Sequence, residues 1–328
     1  MIASLATFID WCFVQKVSMR MPSHDGRRAR MEEALQFLHG PDFIPAESCP
    51  AQVEFDANKS GVHFRFPTPR PSAFADNNVV HGRLYRCAER WQERPVILLL
   101  HGGNMMFGGG TAIGYRDAVR VARCCNRAGF NAATLEAPYH YQRYPRQPAA
   151  LNLDFLRMAE SAAQAVAEIR AMTGWLLTEG CPAVALWGVS MGAEMAGLTA
   201  CHDTRLASVV MAAPGVRTNA TIVEQILWRR VREELQKLRA TEEKLDMTPL
   251  DLTRGQPVIP KENILLIEAI YDLFTPKEPI EELWQVWGQP DIWRLPYGHL
   301  TFRCEPGLTG RVLRWLAPRM KKPTVATT

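Results

Sequence analysis

Two hydrophobic periods divide the chain. Near the N-terminus, "AQVEFDA" (51–57), "GVHFRFP" (61–67) and "HGRLYRCAE" (81–89) alternate apolar and polar residues between turn formers. That is the period of half-buried strands, and it predicts an antiparallel start to a sheet. From residue 95 the pattern changes. "PVILLLH" (95–101) is a continuous β-type run, which predicts a strand buried on both faces. An amphipathic helix follows in "YRDAVRVARCCNRAG" (115–129) and stops at Gly129. Strand "NAATLEAP" (131–138), a long helix over 153–177, strand "PAVALWG" (182–188), helix "MGAEMAGLTAC" (191–201) and strand "LASVVMAAPG" (206–215) continue the alternation.

The alternation pauses at residues 219–245, which predict one long charged helix with an apolar stripe, and at the loop that follows. It resumes with strand "NILLIEAI" (263–270), helix "PIEELWQVWG" (279–288), strand "DIWRLP" (291–296) and helix "LTGRVLRWLA" (308–317). "KKPTVATT" reads as a frayed tail. Strand–helix alternation of this length predicts an α/β fold. Its twisted sheet is mostly parallel after antiparallel N-terminal strands, with helices on both faces. We expect a helical extension over 1–50, then one domain over 51–328, interrupted by a helical cap insertion at about 215–262. In such sheets ligands bind at the carboxyl ends of the strands, so the polar residues just after each strand are the ones to read.

The first residues pose a separate question. In "MIASLATFIDWCFV", Ile2, Leu5, Ile9 and Cys12 share one helical face, Asp10 interrupts the run, and no basic segment precedes it. The pattern is a poor signal peptide. It fits a helix packed on the protein's own body, or a peripheral contact with a membrane surface through residues 1–20.

Composition narrows the class. The 328 residues are 47% hydrophobic, enough for a large core, and no apolar run is long enough for a membrane span. A net charge of +4, spread along the chain, argues against a nucleic-acid partner. The eight cysteines form no CxxC pair, so no zinc site is implied, and their scatter suits reduced thiols in a cytoplasmic setting.

The chemistry concentrates in three places. Gly188-Val189-Ser190-Met191-Gly192 follows a strand and opens a helix. Such a turn must be very tight, and it presents the serine hydroxyl on a strained backbone. A nucleophilic serine needs a base and an orienting acid, expected in that fold in the order Ser, acid, His, each after a later strand. Asp272 ends strand 263–270 and His299 ends strand 291–296. Glu268 lies inside a strand and Asp291 at a strand start, so both are poorer acids. The developing oxyanion needs backbone donors. These are assigned to Gly103, in the "HGGN" turn after strand 95–101, and to Met191, with Asn104 as the alternative to Gly103. His101 reads as a structural hydrogen-bonding residue.

These residues carry a resemblance. Residues 83–318 resemble the α/β-hydrolase superfamily of serine hydrolases in the elbow, the HGG turn, the acid and the late "GH". Within it, "LEAPYHYQRYPRQP", "GVSMGAEMA", "IYDLFTP" and "PYGHLTF" are similar to the α/β-hydrolase domain-containing family 18. The resemblance implies a serine hydrolase with a Ser190–His299–Asp272 triad, and for such chemistry no cofactor or metal is expected.

The expected reaction is therefore hydrolysis of a small-molecule carboxylic ester through an acyl-enzyme. A thioesterase, lipid deacylase or peptidase would use the same parts, and a catalytically silent binding protein would keep the fold. Met105, with its neighbours Met106 and Phe107, and Ile222, Ile226 and Leu227 of the insertion are placed either to face an acyl group or to pack the cap. Tyr139 and Arg143 follow a core strand, so they are placed near the mouth. Arg143 or Arg146 there is either a partner for a substrate carboxylate or phosphate, or a solvated charge.

Overall fold

A computed structural model of the chain describes residues 5–12, 27–41, 43–56, 63–103, 112–145, 155–217 and 246–320. Its strands are β1 (Glu54–Phe55), β2 (His63–Pro67), β3 (Val79–Tyr85), β4 (Val96–Leu100), β5 (Asn131–Leu135), β6 (Val184–Val189), β7 (Ser208–Ala212), β8 (Ile264–Ala269) and β9 (Asp291–Leu295). The helices that matter here are α1 (5–12), α2 (Arg27–Leu38), α3 (Ala112–Arg127), α4 (Phe155–Thr178), α5 (Met191–Ala200), α6 (Lys277–Val286) and α7 (Leu308–Leu316). Among the described residues, the strands form one nine-stranded sheet in the order β1-β2-β3-β5-β4-β6-β7-β8-β9. The pairs from β1 to β3, and β3 with β5, are antiparallel. Every pair from β5 to β9 is parallel.

The continuous apolar runs explain the centre of this sheet. All five residues of β4 are buried, and they divide by parity. Val96, Leu98 and Leu100 join a core with α2, α4, α5 and α6. Ile97 and Leu99 join a second core with α3 and α7. Period-two alternation thus feeds two apolar layers at once, as a strand covered on both faces requires. The expected edge strand 51–57 shrinks to the exposed pair Glu54–Phe55, because an edge strand has one partner and little core to hold it.

The topology sets the place for chemistry. After β4 the chain winds outward to β5, then crosses back to lay β6 on the other side of β4. The winding reverses there, and a crevice opens beyond the carboxyl ends of β4 and β6. His101-Gly102-Gly103 leave β4, and Ser190 leaves β6, at this crevice.

The two ends of the expected insertion meet. The Leu252 N–H donates to the Val216 carbonyl at 3.0 Å, and Arg217 forms ion pairs with Asp251 and Glu282. Met247, Leu250 and Leu252 are buried in the core on the α5 side. The long charged helix expected at 219–245 falls wholly outside the described residues, and with it Ile222, Ile226 and Leu227, expected in the cap.

At the other end, α2 joins the core of α4 through Ala34 and Leu38. Helix α1 departs from its pattern. Leu5, Phe8 and Trp11 point outward, with exposures of 59%, 59% and 46%, while Ala6 and Asp10 are turned inward. The helix buries its one charge and displays its large apolar residues.

Candidate active site

Strand β6 ends in a turn that only small residues allow. A Cβ on Gly188 would lie 2.2 Å from the Gly192 carbonyl oxygen, and one on Gly192 would lie 2.4 Å from the Leu100 carbonyl oxygen. Without those side chains α5 can start directly against the end of β4. Ser190 absorbs the strain, with φ 54° and ψ −120° in a region that residues with a Cβ rarely occupy. The turn is held by the Ser190 N–H donating to Ala212 at 2.8 Å and by the Ser190 carbonyl accepting from Ala193 and Glu194.

Three predicted side chains meet at the crevice. Ser190 Oγ lies 3.0 Å from His299 Nε2. His299 Nδ1 lies 2.6 Å from Asp272 Oδ2. Asp272 is fixed in turn, because its Oδ1 accepts the Phe274 N–H at 2.6 Å and the Thr275 N–H at 2.9 Å. Its Oδ2 also accepts the Thr275 hydroxyl at 2.8 Å. The acid and imidazole side chains are 1% and 7% exposed, so water competes little for their contact. The pairing of β8 with β9 continues past the strand ends through Ile270 N–H to Leu295 and Tyr271 N–H to Tyr297. That continuation brings the acid loop beside the base loop. The Phe274 ring lies over the imidazole at 4.8 Å between centroids.

The HGG turn sits against the serine. A Cβ on Gly102 would lie 3.3 Å from Ser190 Cβ, and one on Gly103 would lie 3.7 Å from Met191 Cβ. His101 holds this turn from behind. Its Nε2 accepts the Ala137 N–H at 3.0 Å, so the ring proton resides on Nδ1, which donates to the Gly102 carbonyl at 2.8 Å. Burial pushes the His101 imidazole down to about 4, and it stays neutral. Burial pushes its neighbour His140, 5.0 Å away between ring centroids, down to about 3. Asn104 and Met105 lie outside the described residues.

Arg143 is a correction. It is fully buried, paired with Glu168 at 2.6 Å, and its guanidinium also donates to the Asn77 and Glu136 carbonyls. A guanidinium so engaged has no donor left for a substrate. The short helical turn Tyr141–Arg143 rotates the side chain inward under β5, toward a carboxylate on α4. Tyr139 is 6% exposed, with its N–H on Asn77 and its ring against Phe74.

One residue at the site was not expected. Asp10 of α1 is fully buried against the loops that carry Asp272 and His299. Its Oδ2 accepts the His299 N–H at 2.6 Å and the Leu273 N–H at 3.4 Å, and its Oδ1 accepts the Leu300 N–H at 3.1 Å. Burial raises its carboxyl above the ordinary range, only partly offset by the Leu300 and His299 N–H groups. The signal in the sequence was a lone acid inside an apolar run, which by itself points nowhere.

The chain is similar to several known proteins. The model of the family described as alpha/beta hydrolase domain containing 18 matches residues 90–250. Two uncharacterized proteins of Mycobacterium tuberculosis, MT2702 and Rv2627c, are each 27% identical, over 84% and 70% of this chain. The chain spans 68% and 55% of their lengths. Acetyl xylan esterase 1 from Thermoanaerobacterium superposes with a TM-score of 0.59 at 13% identity, covering 94% of this chain and 98% of that one. Pyrococcus furiosus esterase Pf2001 gives 0.51 at 17% identity over 76% and 90%. Pyrococcus horikoshii acylaminoacyl peptidase gives 0.55 at 13% identity over 79% and 42%. At such identities the likeness is one of fold.

Proposed function

We propose that this chain, an α/β-hydrolase superfamily member close to the alpha/beta hydrolase domain containing 18 family, is a serine hydrolase that cleaves a carboxylic ester. The observation that carries the reading is the run of contacts from Ser190 through His299 to Asp272, at 3.0 and 2.6 Å. His299 Nε2 takes the Ser190 proton as Oγ attacks the substrate carbonyl. The same nitrogen then gives the proton to the leaving alcohol. Asp272 accepts from Nδ1, holds the imidazole in the acceptor tautomer and stabilises the imidazolium. Water, activated by the same base, then releases the acyl group from Ser190.

The oxyanion is held by the N–H groups of Met191 and Gly103. The Met191 N–H is one of the first four of α5, which helical geometry leaves without an intrahelical acceptor. The Gly103 N–H belongs to the same planar peptide as the Gly102 carbonyl and points the opposite way. His101 holds that carbonyl at 2.8 Å and thereby aims the Gly103 donor. Preorganised donors of this kind need no reorientation as charge develops.

The test is labelling with a fluorophosphonate. The wild type is expected to react and Ser190→Ala to be spared; equal labelling of both would remove Ser190 from the mechanism. Nitrophenyl esters of rising chain length, beside the matching anilide and thioester, then identify the scissile bond. Faster turnover of the anilide or thioester would overturn the ester assignment.

A further inference from the structure

The base loop has two carboxylates around it, and the mechanism above uses one. Asp272 meets the imidazole from the side chain. Asp10 meets the backbone of the same residue, and it also reaches Leu273 in the acid loop and Leu300 beyond the base. One buried carboxylate thus ties together the two loops whose spacing sets the Asp272–His299 contact. A residue placed only to fill space would not turn a charge inward while Leu5, Phe8 and Trp11 face outward on the same helix. Burying a carboxylate is costly unless it is hydrogen-bonded, and here three backbone donors converge on it.

Gly298 shows how closely the carboxylate is fitted. A Cβ there would lie 2.5 Å from Asp10 Oδ2 and 2.9 Å from its Cγ. The residue before the base must therefore lack a side chain if the carboxylate is to reach the His299 N–H. The "GH" pair and the distant Asp10 make up one fitted contact.

We propose that Asp10 is a positioning residue for catalysis: its carboxylate clamps the His299 and Asp272 loops together, and docking of α1 is what completes the active site. This inference rests on the serine-hydrolase reading. The N-terminal helix acts on the chemistry through the backbone of the base, with no contact to substrate.

The test uses the full chain with Asp10→Asn, Asp10→Ala, Gly298→Ala, and the Asp10→Ala/Gly298→Ala pair. Turnover of a nitrophenyl ester gives kcat and KM separately; the rate of fluorophosphonate labelling and the melting temperature are followed in parallel. A loosened base should lower kcat and the labelling rate by about 10- to 100-fold, with KM changed less than about threefold. Gly298→Ala should do the same while leaving all three triad side chains chemically intact. In the pair, removal of the carboxylate makes room for the new methyl, so its kcat should match that of Asp10→Ala alone rather than multiply the two losses. A folded Asp10→Asn with kcat and labelling rate within twofold of wild type would overturn the proposal, and so would a lower melting temperature with unchanged kcat. If the Asp10 variants fail to fold, a folded Gly298→Ala with full kcat overturns it as well. A wild type that resists the fluorophosphonate would bring down the serine-hydrolase reading and this inference with it. A labelled wild type with indifferent Asp10 variants would bring down this inference alone.

Discussion

Replacing His101 with phenylalanine tests whether the oxyanion donor is aimed from behind. The ring of His101 packs between His140 and Tyr141, at 5.0 and 4.9 Å between centroids, so a phenyl ring fits the same slot. His101→Phe deletes two hydrogen bonds, from the Ala137 N–H to Nε2 and from Nδ1 to the Gly102 carbonyl. The first loss orphans a part-buried backbone donor, which costs about 1–3 kcal/mol of stability. The second frees the Gly102–Gly103 peptide to rotate. Outright loss of an oxyanion donor costs about 3–4 kcal/mol in the transition state, or about 100- to 1000-fold in kcat, so a loosened donor should cost part of that range. The donor acts on charge that is absent from the bound ester, so KM should barely move. Steady-state hydrolysis of a nitrophenyl ester across the neutral pH range is the assay. His101 is already neutral there, pushed down to about 4 by burial, so the deficit should not vary with pH. A kcat within twofold of wild type would refute the reasoning. A deficit carried entirely by KM, or one that follows pH, would refute it too.

Two further outcomes follow from buried charges. Arg143→Met should cost about 3–5 kcal/mol of stability in chemical denaturation, because Glu168 is left buried and unpaired, while KM is unchanged. A raised KM with intact stability would return Arg143 to the substrate mouth. Burial, together with the nearby Glu281 charge, raises the Glu268 carboxyl from 4.5 to about 7. Between those values the folded chain keeps a proton that the unfolded chain has released, so stability falls as pH climbs through that window. Glu268→Gln should flatten that decline in melting temperature, and an unchanged slope would contradict it.

Much of the site was legible because its parts sit where the fold exposes them. The runs "VILLL" and "VALWGV" can only be strands covered on both faces, and they fix where the HGG turn and the elbow emerge. Asp272 and His299 follow from the rule that chemistry lies beyond strand ends. The same rule misplaced Arg143. Chain order puts it at the mouth, but its partner is Glu168, a buried charge in the mainly apolar stretch "AVAEIRAM" of α4, two residues before Arg170. With Arg170 only two residues away, the sequence alone did not show that Glu168 takes its cation from the distant Arg143. Asp10 was illegible for a different reason. Its three partners are backbone N–H groups 263 to 290 residues away, and backbone donors carry no side-chain signature.

The Val216–Leu252 bond has an evolutionary consequence. Residues 216 and 252 are joined directly, with Arg217 and Asp251 beside them, so the two chain ends are held together by contacts of their own. Doubling the length spliced between them costs roughly 0.6 kcal/mol in closure entropy. The joined pair is thus a graft point: the stretch between residues 216 and 252 can change in length while Ser190, His299 and Asp272 keep their contacts.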